Sequence, residues 1–476
     1  MTGTVSSLVR LVLVLGALCL TSASKLTVSN LEREVDLTTQ GLVVASVLAI
    51  KNKEKQPLSS FVYCASKIVS GKTLLWIDFE EGDSSTDENL KKLEWTLNEN
   101  ECMEVALSSS LPAKGETTVE IYEIFSMNLV PVSKTIYQSE TQLVKFSDFD
   151  VIVRDANLEI EKQTTKFYLP SKTVEDYTEV KPSKRDGGEL SYGPYKASDA
   201  SKDSAVTLIF ENPEAMLLVE SVVRDVTVSS WTDIEVEEHY HIKNVGPAFK
   251  EGFNRVEYSR NPQAYITESF ALELPKQAHS LFFKDVLGNI TTSHTRFEST
   301  KVTVQAVPRF PLVGGWQTHF TFGYKLPVSP FLRSNGKMSS EKTLVMDILP
   351  ALQQVYVKNL TINTAVPEFS TEIKGAVQST NAFFKASDPF RTVKTLKGKK
   401  NHYFDLSGRP VHTMQISEVA PELADVAELQ YYVTFVFHWK YYLKEPMMVV
   451  VFAGFLALLF LLPSLDFRLV RKQKSD

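Results

Sequence analysis

Apolar and polar residues alternate in short runs along most of this 476-residue chain. Leu42 to Ile50, Thr118 to Phe125, Val206 to Phe210, Ser280 to Val286 and Thr343 to Leu349 each read as a half-buried strand, because side chains two apart share one face. Stretches with the longer period of a helix are hard to find, so the pattern predicts a mostly β protein. The sharpest alternation runs through Trp316, Thr318, Phe320, Phe322, Tyr324 and Leu326, with Gln317, His319, Thr321 and Lys325 on the other face. Gly314-Gly315 and two flanking prolines set a rigid turn before and after it.

Two continuous apolar runs interrupt this pattern. Arg10, the run Leu11 to Leu20 and the small residues Thr21 to Ser24 have the layout of a secretory signal peptide over 1–24. Met447 to Leu465 holds no charge over 19 positions, roughly 28 Å at helical rise, which predicts a membrane span over 446–465. Trp439, Tyr441 and Tyr442 flank one end as an interfacial belt, and Arg468, Arg471, Lys472 and Lys474 follow the other. Basic residues stay on the cytosolic side, so 466–476 is expected to be a cytosolic tail and the bulk of the chain lumenal. Lys472 and Lys474 stand third and fifth from the carboxyl end, as in a K-x-K-x-x retrieval signal to the endoplasmic reticulum (ER). A basic stop-transfer cluster would share that spacing. Removal of the signal peptide takes Cys19 and leaves Cys64 and Cys102. An oxidising lumen favours a Cys64–Cys102 disulfide, the alternative being two buried free thiols.

The length between signal and span suits two or three domains. The polar, Gly- and Pro-containing stretch Lys181 to Pro194 (KPSKRDGGELSYGP) predicts a linker over 181–205, between β domains at 25–180 and 206–445. An internal echo points to duplication: Arg33 to Asn52 (REVDLTTQGLVVASVLAIKN) and Arg224 to Asn244 (RDVTVSSWTDIEVEEHYHIKN) both run from Arg-acid-Val through a turn to Ile-Lys-Asn. A formal charge of −6 with dispersed basic residues implies neither nucleic acid nor an extended polyanion as partner.

Chemistry is sparse. Glu237, His239 and His241 share a strand face and could supply zinc ligands, but an exposed polar face reads the same and no H-e-x-x-h pattern supports them. Asp148-Phe149-Asp150 has the form of a cation-holding D-x-D, without a nucleotide-binding pattern around it, and reads as a solvated turn. His319 alternates with Gln317 and Thr321 and has no assigned nucleophile or acid, so it reads as a surface ring. No catalytic constellation, metal site or cofactor is expected. Two sequons, Asn289-Ile290-Thr291 and Asn359-Leu360-Thr361, offer N-glycosylation sites.

The stretch PRFPLVGGWQTHFTFGYKLP resembles the ribophorin I family of ER oligosaccharyltransferase subunits in its Phe-Pro-Leu, Gly-Gly-Trp and Gly-Tyr-x-Leu-Pro elements. Further matches follow in order: Gln138 to Gln142, Tyr192-Gly193-Pro194, Ser230-Trp231 with Val236-Glu237-Glu238, Leu287 to His294, Gly408 to Val411, Glu445-Pro446 and Leu465-Asp466-Phe467. The resemblance implies a type I ER membrane protein with two lumenal β-sandwich domains similar to the non-catalytic β domain of zinc aminopeptidases, and no peptidase activity. It implies a non-catalytic subunit of the complex that moves an oligosaccharide from dolichol pyrophosphate to Asn-x-Ser/Thr of nascent polypeptides. A polytopic catalytic subunit, other membrane subunits and the nascent acceptors are then the partners. Longer family members carry a further cytosolic domain, which is not expected here because the chain stops 11 residues after Leu465. An independent ER cargo receptor or chaperone is the alternative with the same topology.

Overall fold

The computed structural model describes residues 26–462 except 65–71, 83–89, 99–101, 127–128, 156, 202, 230, 264, 335, 337–339, 379–393, 403–404 and 424–428. The expected signal peptide and the tail bearing Lys472 and Lys474 lie outside the described residues. The chain is mostly β, and strand burial follows the alternation of the sequence: Phe320, Phe322, Tyr324 and Leu326 of the Gln317–Pro327 strand are buried, while Gln317 and His319 are exposed.

The first half is built on a long sheet in the order Ser183–Asp186, Glu189–Lys196, Lys162–Tyr168, Leu26–Asp36, Leu42–Lys51, Glu116–Phe125, Leu74–Glu81, Lys91–Lys92. The second half repeats it as Lys394–Lys400, Arg409–Val419, Tyr356–Ala365, Leu217–Val228, Asp233–Asn244, Gln317–Pro327, His279–Asp285, Gly288–Asn289. Along each of these orders one pairing is parallel, Leu26–Asp36 with Lys162–Tyr168 and Leu217–Val228 with Tyr356–Ala365. Each half adds a three-stranded and a four-stranded sheet whose strands also correspond in order. The short Leu158–Ile160 strand, paired with Leu26–Asp36, has no counterpart among the described residues.

The correspondence reaches single hydrogen bonds. Asn52 and Asn244 end equivalent strands, and their side-chain oxygens accept the N–H two residues on, from Glu54 at 2.9 Å and Gly246 at 3.0 Å. Their backbone carbonyls accept from Lys114 and Gly315, both at 2.9 Å, and these two residues share a left-handed backbone at φ 62° and 78°. The GGW turn is therefore the second copy of the Ala113-Lys114-Gly115 turn. In both halves a buried arginine of the long sheet, Arg33 or Arg224, crosses the core to a carbonyl at the end of a facing strand, Asp150 or Asp347, at 2.7 Å.

The stretch expected as a linker is not one. Ser183–Asp186 and Glu189–Lys196 form an edge hairpin of the first long sheet, turned at Gly187 with φ +61°. Tyr192 and Tyr195 anchor it from the core, donating to the carbonyls of Thr178 (3.0 Å) and Val180 (2.6 Å). Its Gly and Pro residues punctuate a hairpin rather than a domain boundary. The Ala205–Glu211 strand also belongs to the first half, pairing with Leu143–Asp150, so the crossing between halves falls at 212–216.

The halves are bonded to one another. Thr135-Ile136 pairs with Ala248-Phe249 across the junction. Gln142 donates to the carbonyls of Asn212 (3.1 Å) and Glu214 (2.9 Å), and Gln138 exchanges bonds with the backbone of Asn254 at 2.9 and 3.1 Å. Glycines are required here by contact: a Cβ on Gly246 would stand 2.5 Å from Gln142 Oε1, and one on Gly314 would stand 2.0 Å from the Pro247 carbonyl. Ala113, at the place of Gly314 in the first half, has no such junction to meet.

Candidate functional site at the membrane junction

The residues weighed for metal chemistry are engaged in cross-strand contacts. His241 stacks on His319 with ring centroids 4.0 Å apart and lies 3.2 Å from Glu220, while His239 bonds Thr321 at 2.9 Å. Burial and the neighbouring His241 lower the pKa of His319. Asp150 accepts from Ser204 Oγ at 2.7 Å and Asp148 from Ser147 Oγ at 2.8 Å, so the two carboxylates of the D-x-D serve separate local bonds. Among the described residues no group of three His, Cys, Asp or Glu is placed to hold a metal ion. Cys64 and Cys102 are joined by a disulfide. Both asparagines are exposed; Asn289 ends the two-residue Gly288–Asn289 strand after the 286–287 turn, whereas Asn359 lies within the longer Tyr356–Ala365 strand and donates to the Glu220 carbonyl at 3.2 Å.

A dense polar cluster sits where the β body meets the C-terminal helix. Lys444, the first residue of helix Lys444–Leu461, forms an ion pair with Glu368 and lies 3.7 Å from Asp405. Glu368 also accepts from the Leu406 N–H at 2.9 Å, the Ser407 N–H and the Ser407 hydroxyl at 2.9 Å, and Asp405 pairs with Arg409 at 3.3 Å. Burial would raise the Glu368 pKa, but the bonds from Lys444 and Ser407 hold it below the usual value. Aromatic contacts tie the preceding turn Trp439–Leu443 to the same body: Tyr441 stacks on Phe369 at 5.0 Å, and Tyr442 meets Phe437 at 4.9 Å and Trp231 at 6.0 Å, both edge-on. The helix beyond is apolar and exposed along its length, long enough to cross a membrane. The helix start is thus joined to the β body by charge at Lys444 and by stacking at the turn before it. The charged Lys444-Glu445 step before the apolar run was visible in sequence, but its partner Glu368 lies 76 residues away and nothing local marks it.

The ribophorin I family model matches residues 26–463 of this sequence. The chain belongs to the ribophorin I family. Among curated relatives, it is 30% identical over 433 residues to dolichyl-diphosphooligosaccharide–protein glycosyltransferase subunit 1A of Arabidopsis thaliana, covering 88% of this chain and 67% of that one. It is 29% identical to subunit 1B of the same plant, covering 95% of each, and 27% identical to subunit 1 of Caenorhabditis elegans, covering 89% and 70%. Among solved structures, an M1 zinc metallopeptidase of Deinococcus radiodurans aligns over 46% of this chain and 42% of its own, with 11% identity and a TM-score of 0.24, a superposition too loose to bear on function. The family motifs acquire structural roles: Gln138 to Gln142 and the GGW turn lie at the junction between halves, and Glu445-Pro446 follows the Lys444 clamp.

Proposed function

We propose that this chain is a non-catalytic subunit of the ER oligosaccharyltransferase, supporting transfer of a dolichol-pyrophosphate-linked oligosaccharide to Asn-x-Ser/Thr of nascent polypeptides. The observation that carries this is the geometry of the anchor: a large β body whose halves are bonded to each other and clamped to the start of the one membrane-length apolar helix among the described residues. Membership of a family whose curated relatives are named as subunits of that glycosyltransferase supports it. The β body stands in the lumen with the tail in the cytosol, in a single-pass type I arrangement, and the chemistry resides on a polytopic partner chain. A body joined to the start of the span is suited to keep acceptor polypeptide beside that partner's active site. Asn289, beside the 286–287 turn and at the end of a two-residue strand, is the better-presented N-glycosylation acceptor of the two sequons, because the Asn359 amide is bonded within its strand.

Purification of the full chain from ER membranes in mild detergent, with identification of the co-purifying chains, tests the reading. A polytopic glycosyltransferase in constant ratio is the expected result. A lone chain, or one accompanied only by folding clients, would replace it with a cargo receptor or chaperone.

A further inference from the structure

A cavity of about 920 Å³ opens between Ser229, Trp231 and Thr232 of the β body and the first two turns of the C-terminal helix. Its two ends differ in chemistry. The β body lines it with Thr227, Arg409, the carboxylates of Asp233 and Glu235 and the ring of Trp231, and the helix lines it first with Glu445 and then with the apolar Val449 and Phe452. Phe452 lies five residues beyond Met447, the start of the uncharged run, or about 7–8 Å at helical rise. If Met447 marks the hydrocarbon boundary, the lower part of the groove lies within the acyl region of the leaflet. Water there would face apolar side chains without hydrogen-bond partners, so the groove does not stay hydrated in a membrane.

Trp231 is half exposed although its ring edge packs on Tyr442, and its turn is held by Ser229 Oγ, which accepts from the N–H groups of Trp231 (3.2 Å) and Thr232 (3.3 Å). Leu406 and Trp439, 71% and 73% exposed, emerge beside the same clamp. Large apolar side chains at the height of a membrane boundary are where an indole with one polar edge is most stable. A pocket polar toward the protein body and apolar along a span has the shape of an amphiphile. A partner's helix would need contact along the whole span, whereas Phe452 is the last helix residue that lines this groove.

We propose that the groove holds a glycerophospholipid of the leaflet facing the β body, with its headgroup at the Thr227 and Arg409 end and an acyl chain along Val449 and Phe452. Trp231 is then a second membrane anchor beside the span. This rests on the reading of 444–461 as a membrane helix, and the two fail separately in the following experiment. The full chain is reconstituted in phosphatidylcholine nanodiscs with a fluorescent label at Trp231→Cys, at Leu459→Cys in the span, or at Val286→Cys, exposed toward the other end of the same long sheet. Quenching is measured with lipids carrying a nitroxide on the acyl chain. Strong quenching at 231 and 459, at least threefold above that at 286, is expected. Quenching at 459 but not at 231 overturns the lipid groove and leaves the span standing; no quenching at 459 overturns the span itself. Native mass spectrometry of the chain released from the same nanodiscs gives a second reading. The wild-type chain retains a phospholipid, and Val449→Trp, which fills the groove, retains at least fivefold less. Equal retention overturns the proposal.

Discussion

The two halves share a strand order, a turn and a buried arginine, yet they satisfy that arginine in different ways. Arg224 donates to Glu238 at 2.7 Å and to the carbonyls of Asp347 (2.7 Å), Ile348 (3.2 Å) and Leu349, while Glu238 in turn accepts from Tyr240 and from the Ala351 N–H at 3.1 Å. Arg33 makes two bonds, to the Asp150 carbonyl at 2.7 Å and Thr165 Oγ1 at 3.0 Å, and leaves Nε and Nη1 without a protein partner. The pKa values follow. Burial lowers Arg33 to about 10 despite the nearby Tyr63 and Glu123, whereas at Arg224 burial is again the largest single effect but Glu238 together with Tyr324, Tyr431 and Tyr240 outweighs it and raises the pKa. One topology therefore tolerates two polar cores, and the completed network lies in the half that carries the membrane clamp. A half-satisfied buried cation is expected where the surrounding body is stabilised by other means. In the first half the disulfide supplies that.

The largest expected effect comes from breaking the completed network. Arg224→Met strands Glu238 as a buried, unpaired carboxylate and should destabilise the second half by about 4 kcal/mol. Arg33→Met at the equivalent place removes two bonds and relieves a desolvated cation, so its cost should be about 1 kcal/mol. Denaturant unfolding followed by hydrogen exchange in each half separates the two. Equal costs would mean that the paired and unpaired arginines do the same work, and the comparison would fail.

The next effect belongs to the first half alone. Cys64 and Cys102, 38 residues apart, join the ends of two strands of the three-stranded sheet, Leu58–Tyr63 and Met103–Leu111. The equivalent pair in the second half, Phe270–Pro275 and Lys301–Ala306, has no such bond and instead pairs Lys301 with Glu273 on its surface at 2.6 Å. Closing a loop of that length is worth ~3.9 kcal/mol through the unfolded chain. Cys64→Ser with Cys102→Ser should lower the stability of the first half by about that amount and leave exchange in the second unchanged. Loss of protection in both halves would show that the junction, rather than each half, is the folding unit.

Most of the architecture was legible because period-2 alternation records which face is buried, and the echo from Arg33 to Asn52 and from Arg224 to Asn244 picked out two hairpins that are equivalent in space. The echo was legible because Asn52 and Asn244 perform one local task, closing a turn through their own side chains, which leaves a mark within a few residues. What the arginines contact was not legible: Asp150 and Asp347 lie more than a hundred residues beyond Arg33 and Arg224, and no local pattern records a bond of that span. The hairpin at 183–196 was hidden by the same Gly and Pro residues that make its turn. The clamp on the C-terminal helix joins Lys444 to residues from two separate loops, so only the apolar helix and its aromatic flank could be read in advance.

A third difference concerns pH. Burial raises the Glu123 pKa from 4.5 to about 8, against the bond donated by Tyr63 at 3.1 Å and the field of Arg33. The folded first half then holds a proton that the unfolded chain releases above its ordinary pKa. This contribution to stability is fully present below about 4.5 and is lost as pH rises through about 8. Glu123→Gln keeps a neutral side chain of the same shape at every pH. It should remove most of the decline in stability between pH 6 and pH 9, a gain of about 2 kcal/mol at the upper end. The thermal midpoint of the variant relative to wild type at these two values is the measurement. An unchanged slope would place the titration elsewhere.

The smallest expected effect tests whether the equivalence of the halves extends to the turn that opens Gln317–Pro327 and Glu116–Phe125. Lys114 and Gly315 hold the same left-handed backbone and donate to equivalent asparagine carbonyls, those of Asn52 and Asn244, but only Gly315 does so without a side-chain penalty. Gly315→Ala adds that penalty and brings a Cβ to 3.1 Å from the Ala248 Cβ at the junction, and should cost about 1 kcal/mol. Lys114→Gly relieves the penalty while loosening the unfolded chain, so it should shift stability by less than about 0.5 kcal/mol in either direction. A larger cost for Lys114→Gly than for Gly315→Ala would show that the lysine side chain holds the first turn, and that the two turns are alike in backbone only.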